Sequence, residues 1–170
     1  MKPETNLARL AQAELEKEEE NFHFKELLHR KNPVEVDTLV NHLNAKIAPE
    51  IDCTACGNCC KSLMINVTGP EVEDLSHFLD VPVKDIKAKY IETSLQGDMI
   101  VNTIPCHFLT GTRCNIYEHR FTECRDFPGL HRSGFVERSF ATFMHYGRCP
   151  IVYNVIERLK VELGFINNPA

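Results

Sequence analysis

Residues 53–60 read Cys53-Thr54-Ala55-Cys56-Gly57-Asn58-Cys59-Cys60, four thiols in eight positions. A C-x2-C turn brings two sulfurs close enough to share one tetrahedral ion. Extended to C-x2-C-x2-C, the same loop supplies three corners of an iron–sulfur cubane, as in bacterial ferredoxins, where a later cysteine precedes proline. Gly57 gives the loop a position without side-chain obstruction, and Cys149-Pro150 is a remote Cys-Pro. Zinc is an equally direct reading, since eight cysteines would build two closed four-thiolate sites. Neighbouring side chains diverge, so Cys59 and Cys60 are expected to divide between two sites, or to leave one reactive thiol beside Lys61.

Downstream, Cys106, Cys114, Cys124 and Cys149 are separated by 7, 9 and 24 residues. Lys61, Arg113, Arg125 and Arg148 each adjoin a cysteine, and cations beside thiols lower their pKa and offset thiolate charge. The candidate metal ligands are therefore Cys53, Cys56, Cys59, Cys60, Cys106, Cys114, Cys124 and Cys149. His107 and His145 would each complete a three-cysteine site, but a hydrogen-bonded surface histidine is the simpler reading of both. Arg120, between two cysteines, is placed to hydrogen-bond a cluster sulfur or a carbonyl.

Around the cysteines the chain reads as mainly helical. Leu7, Leu10, Ala11 and Leu15 form a loose apolar stripe, and the acidic stretch from Glu14 to Glu20 is a solvated helix face. A second helix has Asn32 as cap, Pro33 at its first position and Val36, Leu39, Val40, Leu43 and Ile47 at helical spacing, and Pro49 ends it. Thr68-Gly69-Pro70 opens a helix with Val72, Leu75, Phe78 and Leu79 on one face. Another follows Val81-Pro82, with Val83, Ile86 and Tyr90 inward. Residues 98–103, 106–109 and 114–117 read as short strands, with a hairpin at Thr110-Gly111-Thr112. Residues 119–147 read as irregular, and a closing helix from Ile151 to Leu163 is stopped by Gly164. The expected fold is α+β, mainly α, with helices around a small irregular β-hairpin region organised by a cysteine metal site. The expected division is a helical segment over 1–50 and a cysteine domain with its closing helix over 51–166.

Composition narrows the function. The 170 residues are 43% hydrophobic and 25% charged, which excludes a disordered or fibrous chain. A net charge of −5 argues against nucleic-acid and anionic-membrane partners. The N-terminus has no apolar core of a secretory signal, and no run approaches the ~18 apolar residues of a membrane span. A cytoplasmic location follows as the expectation, and in that reducing compartment dense cysteines point to metal or catalysis rather than disulfides. No phosphate-loop, G-x-S-x-G or H-E-x-x-H pattern occurs.

The cysteine loop is followed in order by Pro105-Cys106-His107-Phe108-Leu109, Cys114-Asn115-Ile116-Tyr117-Glu118, Arg120 and Cys124-Arg125-Asp126-Phe127-Pro128. This succession resembles the CxxCxxCC (YkgJ-like) cysteine-cluster family, known as a zinc- or iron-chelating domain, over about residues 52 to 130. Where that family usually has Arg-Pro, this chain has Arg120-Phe121, which removes no proposed ligand. The resemblance implies a metal-binding protein that chelates zinc or iron, the iron either as ions or as a 4Fe-4S cluster, and that is not an enzyme. Its partners would be the metal or cluster, and a protein bound by the N-terminal helices. The alternative is a redox or catalytic iron–sulfur protein related to protein lysine methylation. The family branch similar to flagellin lysine methylases has longer chains, and nothing here resembles a glycine-rich methyl-donor pocket.

Overall fold

A computed structural model describes residues 2–167. Its helices are α1 (Leu7–Glu16), α2 (Glu18–Leu28), α3 (Pro33–Ile47), α4 (Cys53–Cys56), α5 (Gly69–Leu79), α6 (Val83–Tyr90), α7 (Thr122–Asp126), α8 (Ser139–Phe143) and α9 (Pro150–Glu162). The strands are β1 (Asn66–Val67), β2 (Ile91–Thr93), β3 (Met99–Val101), β4 (Leu109–Thr110) and β5 (Arg113–Cys114). The class is α+β, mainly α. Among the described residues, no helix is long and apolar enough to cross a membrane.

The chain forms two compact units, one from residues up to 52 together with those from 128 onward, the other from residues 53–127. In the first unit, the Asn6 side chain caps α1 by accepting from the Ala8 and Arg9 amides, and Asn32 caps α3 by accepting from Val34 at 3.0 Å. Their apolar stripes face α9: α3 and α1 both pack on it, and α2 packs on α8. Leu10, Phe24, Leu28, Val40, Phe135, Val152, Val155, Ile156 and Leu159 are essentially sealed from water. Asp37 of α3 accepts from the Gly134 and Phe135 amides at 2.7 and 2.8 Å, which ties down the long loop before α8. Asn154 of α9 exchanges two hydrogen bonds with the Glu4 backbone, at 2.9 and 2.8 Å.

A polar network crosses this apolar unit. Lys160, almost fully buried, donates to Glu20 at 2.6 Å and Glu157 at 2.7 Å. The Tyr146 hydroxyl also donates to Glu157 at 2.7 Å, and Lys17 pairs with that carboxylate's other oxygen. A buried ammonium is tolerated only when its protons are satisfied in this way.

The second unit is built on a three-stranded antiparallel sheet of order β1-β3-β2, with Val67 opposite Met99 and Ile91 opposite Val101. Its core is Val67, Val72, Leu75, Ile86, Ile91, Val101, Phe108, Ile116 and Phe121. β4 and β5 form a separate hairpin, Leu109 opposite Cys114 and Thr110 opposite Arg113.

Several local expectations change here. Residues 106–108 form a turn rather than a strand, because the Leu109 amide donates back to Cys106 at 3.1 Å, and Tyr117–His119 is a single 3-10 turn. Val83 is exposed at 36%, leaving buried Ile86 and partly buried Tyr90, which packs on the core, as the inward residues of α6. The stretch 119–147 contains two short helices, α7 and α8. The closing helix lies in the same compact unit as the N-terminal helices. Compact units are not folding domains, and the 1–50 and 51–166 division stands as a proposal about independent folding.

Candidate metal centre

The cysteine loop begins as one helical turn. The Gly57 amide closes α4 by donating to the Cys53 carbonyl at 3.0 Å, which puts Cys53 and Cys56 on the same side. Gly57 then takes φ +58°, and a Cβ there would lie 2.6 Å from the Thr112 carbonyl oxygen. Only glycine fits both the left-handed backbone and this approach to the β4–β5 turn. Asn58 leads into a 3-10 turn over Cys59–Lys61, closed by the Ser62 hydroxyl on the Asn58 carbonyl at 3.0 Å.

Three further segments carry the other thiols of this unit. The Cys106 amide donates to the Cys60 carbonyl at 2.8 Å, a direct backbone link across forty-six residues. Cys114 ends β5, beside α4. Cys124 lies on α7, which carboxylate hydrogen bonds anchor at its first two residues, Thr122 and Glu123. Glu71 accepts from the Thr122 amide at 2.6 Å and from the amide and hydroxyl of Thr68, and Glu123 accepts from the amide and side chain of Asn66, both at 2.7 Å. Cys106, Cys114 and Cys124 pack against the apolar core of the unit. Burial works against ionised Glu71, but its hydrogen bonds from Thr122 and Thr68 outweigh that and hold its carboxyl below the usual value.

The thiols sense one another. Cys59 and Cys60 place their sulfurs 3.9 Å apart, and this contact, then burial, raises the Cys60 pKa. Burial raises Cys106 and Cys114, and the charge of Cys60 adds to both. Cys124 is pushed up to about 12 by burial and then by the charges of Cys60, Cys106 and Cys114, against the pull of Arg120. Burial and neighbouring thiolate charge both disfavour ionisation of Cys106, Cys114 and Cys124, a cost that a nearby cation relieves. Among the described residues, no three or more His, Cys, Asp and Glu side chains already stand as a metal-holding group.

The remaining candidates are placed differently. Cys53 is exposed and Cys56 half-buried on α4. Cys149 belongs to the first unit, where it is buried at the N-cap of α9 and its amide donates to the His145 carbonyl at 2.9 Å. Burial, and then Arg148, lower the His145 pKa. His107 sits 2.6 Å from the Asn102 side-chain oxygen, with its ring edge on Tyr90, a hydrogen-bonded histidine in keeping with the simpler reading. Arg120 serves a carbonyl: it donates to Tyr117 at 2.8 Å and stacks over that ring, while Arg125 donates to the Arg120 carbonyl at 2.7 Å.

Sequence reasoning missed Glu71, Glu123 and Thr112, which hold Cys124 and the loop in position. Thr68-x-x-Glu71 carries a readable capping-box spacing, but nothing in the sequence pairs Gly57 with Thr112 or Glu123 with Asn66. A model of the CxxCxxCC family, described as "Putative zinc- or iron-chelating domain", matches residues 52–146. No curated protein and no solved structure matches the chain.

Proposed function

The chain belongs to the CxxCxxCC family, and from that premise we propose that its second unit holds a single zinc or iron ion through the thiolates of Cys60, Cys106, Cys114 and Cys124. The observation that carries the reading is that Cys106, Cys114 and Cys124 pack on one apolar core while the Cys106 amide is hydrogen-bonded at 2.8 Å to the Cys60 carbonyl of the cysteine loop. Four thiolates close a tetrahedral site, which suits a resident ion better than an open catalytic one. Soft sulfur donors select zinc and iron over magnesium or calcium. Arg120 supports the set by opposing part of the upward shift that burial imposes on Cys114 and Cys124.

In this reading Cys59 adjoins the set through Cys60, and Cys53 and Cys56 form an outer pair. Cys149 acts in the packing of the first unit, because four thiolates from the second unit already complete the coordination. Metal bound to the folded chain stabilises it by about 2.7 kcal/mol when free metal is a hundredfold above the dissociation constant. Cys124→Ser is expected to lose the tightly held ion and its stabilisation, whereas Cys149→Ser keeps the ion. Elemental analysis after gel filtration, with thermal melts in the presence and absence of chelator, reads both. Retention by Cys124→Ser, or loss by Cys149→Ser, contradicts this ligand set.

A further inference from the structure

The cysteines of the second unit form two tiers. Cys106, Cys114 and Cys124 pack against the core, and the Cys106 amide is hydrogen-bonded to the Cys60 carbonyl, while Cys53 is exposed on α4 with Cys56 on the same turn. The outer turn is held in place. Gly57 presses it against Thr112 of the hairpin, and α4 lies beside β5, which carries Cys114 of the inner tier. Cys59 connects the tiers along the chain, with its sulfur 3.9 Å from that of Cys60.

We infer that Cys53 and Cys56 are a metal-exchange pair that takes the ion from a low-molecular-weight thiolate complex and passes it through Cys59 to the inner thiols. The inference rests on the proposed four-thiolate site and adds to it a route of entry and a class of donor. A complex that carries its own thiolates needs open space to form a mixed intermediate. Exposed Cys53 supplies that space, and thiols packed on a core do not. In the first exchange, two of the donor complex's four metal–sulfur bonds break and two form to Cys53 and Cys56, whose protons leave on the two departing donor thiols. In the second, the bonds to Cys53, Cys56 and the two remaining donor thiolates break as four form to the inner thiols, and a bond to Cys59 made and broken on the way returns that thiol's own proton. The four protons of the inner thiols restore Cys53 and Cys56 and leave on the two last donor thiols. The metal keeps its oxidation state throughout.

The test uses the full reduced, metal-free chain and two zinc sources, zinc in excess glutathione and aqueous zinc, with the loading rate and final zinc content read separately. The Cys53→Ser/Cys56→Ser variant is expected to reach the wild-type final content but to load from zinc–glutathione at least roughly tenfold more slowly, with a smaller change from aqueous zinc. Cys53→Ser alone, a change at an exposed position, is expected to slow loading in the same direction. Unchanged rates from zinc–glutathione, or equal slowing from both sources, overturn the inference. A lower final content in the double variant also overturns it, making the pair resident ligands while the metal-binding reading stands. A wild-type chain that retains neither zinc nor iron removes that reading as well.

Discussion

At the residue scale the centre depends on a few close approaches. Gly57→Ala would put a methyl group 2.6 Å from a backbone oxygen while forcing alanine to φ +58°. The left-handed backbone alone costs about 1–2 kcal/mol, and the Thr112 backbone cannot yield as a flexible side chain would. The expected outcome is a fall in stability of at least that size together with weaker metal retention, measured by urea unfolding and metal analysis of the same preparation. Wild-type behaviour in both would show that the loop does not rest on the hairpin. The thiols and Gly57 stood out in the sequence because the chemistry of a cysteine loop depends on local spacing. Thr112 did not, because its part is played by backbone atoms that any residue could supply.

At the element scale, each unit is held together by side chains that bridge its own secondary structures. Glu71 accepts hydrogen bonds at the start of α5 and at the start of α7. Glu71→Ala is expected to cost about 1–3 kcal/mol and to loosen Cys124, and so to weaken metal retention in competition with a chelator, without abolishing folding. An effect on stability alone would separate α7 from the site. In the first unit, Glu157 joins α9 to Lys17 and Tyr146. Burial opposes its charge, but the hydrogen bonds from Lys160, Lys17 and Tyr146 prevail and hold its carboxyl below the usual carboxylate value. Because the folded pKa is the lower one, this carboxylate stabilises the fold fully above the unfolded value, and the contribution disappears as pH falls through the folded value. Glu157→Gln should therefore destabilise by about 2–4 kcal/mol at neutral pH, and its deficit against wild type should shrink toward pH 3 in urea unfolding. A deficit independent of pH would contradict the assignment. The long helices were legible because Asn32-Pro33 and the apolar spacing of α3 and α9 are local signals. β1 and β2, two and three residues long, offer too few positions for an alternating pattern.

At the scale of the whole chain, the α+β, mainly α class was legible from helical periodicity, and the two compact units were not. The compact unit of α9 depends on its packing with α1 and α3, contacts more than a hundred residues apart in sequence, and apolar spacing shows that a helix buries a face without showing against what. The same limit applied to the cysteines: spacing singled out the cysteine loop at 53–60 and said less of the four separated thiols, whereas the fold packs Cys106, Cys114 and Cys124 on one core, exposes Cys53 and buries Cys149 in the other unit. The central claim is that Cys60, Cys106, Cys114 and Cys124 hold one metal ion, and elemental analysis with acid-labile sulfide determination, on anaerobically purified and gel-filtered chain, tests it most directly. The account predicts about one zinc or iron per chain without sulfide. Metal-free protein, or iron with an equal amount of sulfide, would contradict it.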